Sequence, residues 1–242
     1  MSPYVSAWQA TRERIANAAR AAGRDPAGVA LVAVAKTFPA EAVRAVAALG
    51  QHAFGENYVQ EAARKRDALA DLAIEWRLVG PLQSNKARLA AEVFDAVETV
   101  DRLSIAERLS AARPASRPAL DVLVQVNASG EATKSGVVPS DAVALARAVA
   151  VLPRIRLRGI MGIPEPTPDV RRQRAQFAAL RACFESLRDA GLRVDMLSMG
   201  MSADLEAAIA EGATEVRIGT AIFGARASTH SPAGGGVAAM SQ

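Results

Sequence analysis

A single cysteine, Cys183, stands in the 242-residue sequence. One thiol excludes a disulfide framework and suits a reducing, cytoplasmic compartment. Cys183 falls with Phe177, Leu180, Phe184 and Leu187 at helical spacing, which predicts a buried packing role and not catalysis. The N-terminus, MSPYVSAWQATRER, lacks a basic segment followed by an apolar one, and charged residues interrupt every long apolar stretch. Neither a signal peptide nor a membrane span is indicated. The net charge of +4 comes from arginines spread along the chain, the pattern of solvated helix faces. The one basic cluster, RKR from Arg64 to Arg66, lacks neighbouring aromatics on which bases would stack, so nucleic-acid binding is not expected.

What is present is a rhythm. Half of the residues are hydrophobic, enough for a sizeable core, and the length suits either two small domains or one α/β barrel. Short runs rich in Val, Ile and Leu alternate with Ala/Arg/Leu/Glu stretches of helical period, as in a parallel sheet wrapped in helices. The strands predicted are VALVAVA (Val29 to Ala35), HAFG (His52 to Gly55), EWRLVG (Glu75 to Gly80) and AVETV (Ala96 to Val100). They continue with DVLVQVN (Asp121 to Asn127), RLRGIMGI (Arg156 to Ile163), VDMLSMG (Val194 to Gly200) and EVRIG (Glu215 to Gly219). Helices are predicted over Glu41 to Leu49, Val59 to Ala70, Asn85 to Glu92, Leu103 to Ala112, Ser140 to Leu152, Val170 to Ala190 and Ala203 to Ala210.

Eight such units point to a single closed (β/α)8 barrel, a TIM barrel, over residues 1–226. An extra N-terminal helix at about Val5 to Ala22 has Trp8, Ile15 and Ala19 on one side. The alternative, an open doubly wound sheet, usually has a Gly-rich turn after its first strand; here that turn is AKTFPAE, without glycine. The Gly-rich, small and polar tail from Ala227 to Gln242 is expected to be disordered.

Barrel chemistry sits on loops at the C-terminal ends of the strands. Lys36 closes the first strand in this reading. If it points into the barrel mouth, alternation puts Val32 and Val34 inward beneath it and Ala33 and Ala35 against the helices. Apolar walls disfavour an ammonium and make the amine available to attack a carbonyl and form a Schiff base. On this residue alone, a lysine snorkelling to solvent is the simpler reading. The other strand ends shift the balance, because FGENYVQE, GPLQSNK, NASGEATKSG, SMGMS and RIGTAIFG gather polar and small residues at one rim. In the first of these, Glu56 and Asn57 offer polar groups at the mouth.

Barrels often hold phosphate with the loops after the seventh and eighth strands. Gly200 there allows close backbone approach, Ser202 supplies a hydroxyl and the N-cap of the next helix, and Gly219 and Thr220 come from the adjacent strand. Taken singly, Ser202 merely caps and Gly219 merely turns the chain. Arg217 shares the side of Gly219 and either pairs with a carboxylate, Glu215 or a distant acid, or donates to a neutral ring nitrogen. An amine, a phosphate cradle and a ring-nitrogen donor are together what pyridoxal 5'-phosphate (PLP) requires. No metal site is expected.

The segments LVAVAKT, FGENYVQE, WRLVGPLQSNK, KSG, LRGIMGIP, LSMGMS and VRIGTAIFGAR resemble the YggS/PROSC family of pyridoxal phosphate homeostasis proteins, itself similar to the N-terminal barrel of alanine racemase. The matches run in order from Leu31 to Arg226. The resemblance implies that Lys36 carries PLP as a Schiff base, that Asn57 lines the ring pocket and that Arg217 faces the pyridine nitrogen. It further implies that Ser202, Gly219 and Thr220, with the backbone at Met201, hold the phosphate.

Catalysis is not expected. Arginine donates but cannot accept at the ring nitrogen, which leaves the pyridine a weak electron sink. A racemase also needs a second acid/base opposite the lysine, supplied in the related racemases by a tyrosine of a further β-domain. The eight units use up this chain, and its tyrosines are Tyr4, on the leading helix, and Tyr58, at a helix start beside the ring pocket. The expectation is a cytoplasmic monomer that buffers or delivers PLP, with transient contact to PLP-requiring apoenzymes. Two rivals are a racemase- or decarboxylase-like enzyme and a barrel enzyme whose Lys36 forms its Schiff base directly with a sugar or keto-acid substrate. Lys134, in KSG, is a candidate rim contact.

Overall fold

The computed structural model describes residues 3–128 and 135–225. Eight parallel strands close into one barrel in sequential order. They are β1 (Ala30–Val34), β2 (Ala53–Glu56), β3 (Glu75–Leu78), β4 (Ala96–Val100), β5 (Leu120–Val126), β6 (Ile155–Gly162), β7 (Met196–Ser198) and β8 (Glu215–Ile218). The helices are α1 (Val5–Ala21), α2 (Ala40–Ala47), α3 (Val59–Ala68), α4 (Ala87–Val93) and α5 (Leu103–Ala112), then α6 (Pro139–Ala150), α7 (Val170–Asp189), α8 (Leu205–Ala210) and α9 (Thr220–Phe223). The (β/α)8 expectation and the leading helix are both borne out. Lys134 and the tail from Ala227 lie outside the described residues.

Parity on the strands separates two layers. Leu31, Ala33 and Ala35 join Val43, Val46, Ile218 and the other outward-facing strand and helix residues in one continuous apolar cluster. Val32 and Val34 face the interior, where a Cβ on Gly55 would lie 3.1 and 3.2 Å from their methyl groups. Phe177, Leu180, Cys183, Phe184 and Leu187 form the buried face of α7. Burial there lifts the Cys183 thiol to about 11, which removes it from thiolate chemistry.

α1 packs on α8 and α9. Its Ile15 and Ala19 are buried, and Trp8 donates from Nε1 to Gln51 Oε1 at 3.1 Å. β7 is regular only to Ser198, yet its bonding to β8 continues through the Met199 N–H (to Glu215 O, 3.1 Å) and the Gly200 carbonyl (from the Arg217 N–H, 3.0 Å) until Gly200, at φ 96°, turns the chain. Gly159 is a second enforced glycine, since a Cβ there would meet the Met196 carbonyl at 1.8 Å. Among the described residues, no helix is long and apolar enough to cross a membrane.

Candidate functional site at the barrel mouth

β1 ends at Val34, so Lys36 stands in the following turn and does not close the strand. The Ala35 N–H still reaches Gly55 O (2.9 Å), but the Ala35 carbonyl leaves the ladder and accepts from Lys65 Nζ (2.7 Å) and the Phe38 N–H (3.1 Å). Lys36 is half-buried, Thr37 has φ 69°, and Pro39 is the N-cap residue of α2. Pro39 thus ends the turn and begins the helix that follows the lysine.

After β2, Asn57 is half-buried, and its backbone lies so close to Gly80 that a Cβ on that glycine would meet Asn57 O at 2.5 Å. Glu56 is not at the mouth. Gly55 faces the interior, so Glu56 faces the helices, where it is fully buried and accepts from Lys65 Nζ at 2.6 Å.

Behind β7, the Gly200 carbonyl accepts the Arg217 N–H at 3.0 Å, which ties this loop to β8. The Met201 N–H donates to Asp204 Oδ1 at 2.6 Å, and the Asp204 N–H returns to Met201 O at 3.2 Å. That reciprocal turn delays α8 until Leu205, so Asp204 occupies the N-cap and Ser202 does not. Burial raises the Asp204 carboxyl above its ordinary range. Ser202 is half-buried, its carbonyl accepting from Arg14 Nη1 at 3.2 Å. Gly219 abuts β1, with room for a Cβ only at 3.1 Å from Val34 O, and Thr220 beside it is exposed.

Because β7, β8, β1 and β2 are consecutive neighbours, Lys36, Asn57, Met201, Ser202, Gly219 and Thr220 all stand on one half of the mouth. Arg217, in register with Val32 and 5% exposed, lies below them inside the cylinder. It donates from Nη1 to Ser198 Oγ (2.6 Å) and from Nη2 to Gly162 O (2.9 Å), two of the five N–H donors of a guanidinium. Ser198 Oγ donates onward to Glu98 Oε2 at 2.7 Å, and that oxygen is 3.9 Å from Arg217 Nη1.

The carboxylate facing Arg217 is therefore the distant one. Glu215 belongs to Arg77, whose Nη1 is 2.6 Å from Glu215 Oε2 and 3.5 Å from Glu98 Oε1. Complete burial and the neighbouring Glu98 push the Glu215 carboxyl upward. Glu215 is the partner that the sequence offers for Arg217, whereas Arg77, Glu98 and Ser198 are missed there, although Arg77 and Glu98 each interrupt an apolar strand run.

RKR proves to be no basic patch: Lys65 is buried, and Arg66 donates to the carbonyls of Glu92 and Val93. The other half of the mouth holds a cavity of about 280 Å³ lined by Val79, Thr99, Gln125, Asn127, Ile163 and Pro164, none assigned beforehand. A wider depression of about 660 Å³ runs between Arg156, Arg158 and Arg193, near the N-terminal ends of β6 and β7 and away from these loops.

Fold and site together define a class: a (β/α)8 barrel with a lysine turn at its mouth, glycine-bearing loops beside it and an arginine in its floor. The family model for the N-terminal domain of alanine racemase matches residues 8–227. A pyridoxal phosphate homeostasis protein of Pseudomonas aeruginosa is 61% identical over 213 residues, 88% of this chain and 91% of that protein. One from Escherichia coli K12 is 50% identical over 218 residues, 89% and 93% of the two chains. The structure of PipY from Synechococcus elongatus with PLP bound matches with a TM-score of 0.77 at 39% identity, covering 87% of this chain and all of PipY. The chain belongs to the family of pyridoxal phosphate homeostasis proteins, built on the alanine racemase N-terminal barrel.

Proposed function

We propose that this protein binds pyridoxal 5'-phosphate at the barrel mouth and serves the homeostasis of that cofactor, holding it reversibly on Lys36 and passing it on without robust catalysis. The observation that carries the reading is the gathering of the lysine turn, the two glycine loops and Arg217 on four adjacent strands. The family relatives, named for pyridoxal phosphate homeostasis, and PipY with PLP bound support the same cofactor.

The residues present fit the group. A cradle that a Cβ would crowd exists at Gly219, against Val34 O, and Gly200, at φ 96°, turns the neighbouring loop after β7. When bound, PLP supplies a reactive aldehyde, a phosphate and a pyridine. Lys36 Nζ is the amine for covalent attachment. The hydroxyls of Ser202 and Thr220 and the backbone at Gly219 serve the phosphate, Asn57 borders the ring, and Arg217 directs donors to the ring nitrogen. The Met201 N–H is engaged by Asp204, so its share in the phosphate site requires that bond to be exchanged.

A guanidinium stays protonated and never delivers its proton to a pyridine, which favours holding the cofactor over carbanion chemistry. Of the two tyrosines, Tyr58 is 60% exposed at the N-cap of α3, and Tyr4 packs edge-on to Phe223 at 5.7 Å. The reading takes the protein to act as a monomer, and the lone buried thiol suits a cytoplasmic setting.

The test is transfer. Loaded protein mixed with a PLP-requiring apoenzyme should restore that enzyme's activity while leaving L-alanine optically unchanged. Racemisation dependent on Lys36 would instead assign an enzyme.

A further inference from the structure

The turn that holds Lys36 is gripped by side chains that the cofactor reading does not use. Lys65 on α3 is 6% exposed and donates from Nζ to Ala35 O (2.7 Å), Glu56 Oε1 (2.6 Å) and Glu61 Oε1 (2.7 Å). Glu61 Oε1 also accepts the Thr37 N–H at 2.7 Å. Ala35 and Thr37 flank Lys36, so one ion pair holds the main chain immediately before and after it.

Two further observations mark this grip as purposeful. Thr37 adopts φ 69°, a left-handed conformation that a β-branched residue keeps only where its surroundings impose it. Its bond to Glu61 is such an imposition. Lys65 and Glu56, moreover, sit between barrel and helix, where an apolar pair would fill the space with less desolvation cost. Glu56 Oε2 is buried without a hydrogen-bond partner, a burden that packing alone does not explain.

We infer that Lys65 and Glu61 are positioning residues for Lys36, fixing its turn so that the amine is presented to the Gly219 and Asn57 loops. The inference rests on the reading of Lys36 as the attachment point. Glu56 completes the device by holding Lys65 from the barrel side.

The experiment compares the full-length protein with Glu61→Ala, Glu61→Gln, Lys65→Met and Lys36→Ala. Each is titrated with PLP by visible absorbance, the adduct is fixed with borohydride and located by peptide mass mapping, and Tm is recorded. Glu61→Ala is expected to bind about tenfold more weakly, the scale of a lost hydrogen bond to a charged group. Its Tm should stay within a few degrees of the parent, and less of its adduct should fall on Lys36. Glu61→Gln keeps an oxygen acceptor for Thr37 and should return to near-parental affinity. Lys65→Met should lose more; if it does not fold, the Glu61 pair decides. Parental affinity and labelling in Glu61→Ala, with the adduct lost in Lys36→Ala, would overturn the positioning role and leave the attachment site standing. An adduct that survives in Lys36→Ala would overturn both.

Discussion

Between the strands and the helices of this barrel the packing is apolar, from Ala33 and Val43 on one side to Phe177 and Leu187 on the other. Inside the cylinder, Val32, Val34 and the small cluster of Leu123, Met161 and Met196 share the space with Arg77, Glu98, Ser198, Glu215 and Arg217. The outer layer follows the rule that parallel barrels are held by apolar contact. The inner one sets two guanidiniums against two carboxylates out of water, an arrangement that contributes little net stability. The difference separates tasks: the shell holds the barrel closed, and the interior fixes Arg217, through Ser198 and the Gly162 carbonyl, for the role proposed above. The outer layer also carries buried charge, and there Lys65 joins Glu56 to the Ala35 carbonyl, next to Lys36.

Substitutions in the two layers should therefore part stability from cofactor binding. The largest stability effect is expected in the shell, where Phe177→Ala should cost about 3–5 kcal/mol in urea unfolding. Molecules that remain folded should bind PLP as before; a parallel loss of affinity would blur the division. Next comes pH. Burial holds the Glu56 carboxyl at about 7 against 4.5 in the unfolded chain, so the fold keeps a proton that the unfolded chain has released. Its contribution is complete below 4.5 and disappears as pH rises through about 7. Unfolding free energy should fall across that window by up to about 3 kcal/mol from this group, and Glu56→Gln should flatten the fall. Equal pH profiles for the two proteins would contradict the assignment.

A smaller loss, about 1–3 kcal/mol, is expected for Ser198→Ala, which takes the hydroxyl from between Arg217 and Glu98. In contrast to Phe177→Ala, it should also weaken PLP binding several-fold in equilibrium titration. Unchanged affinity would mean that the interior does not aim Arg217. At the bottom of the scale, Asp71→Asn breaks an exposed pair with Arg44 and should leave both Tm and affinity where they were.

Much of this was legible in the sequence. Each of the eight apolar runs became a strand, because a strand buried on both faces leaves a continuous hydrophobic signature. Inward alternation of Val32 and Val34 followed from period two. What escaped were partnerships across the fold. Glu98 and Ser198 are 100 residues apart, and nothing local tells which acid will face Arg217. Glu56 read as a mouth residue because its strand end was clear while its buried partner, Lys65, was hidden in an apparently basic helix segment. Ser202 read as a cap because the competing bond from Met201 to Asp204 depends on a turn that only the folded loop defines.

Covalent attachment at Lys36 is tested most directly by the visible spectrum of the PLP-loaded protein before and after borohydride reduction, beside Lys36→Ala. A visible band that reduction abolishes and a pyridoxyl label on the peptide containing Lys36 are expected in the parent, and neither in the variant, whose Tm should match that of the PLP-free parent. A band and label that persist in Lys36→Ala, or a loaded protein that never shows them, would contradict that attachment.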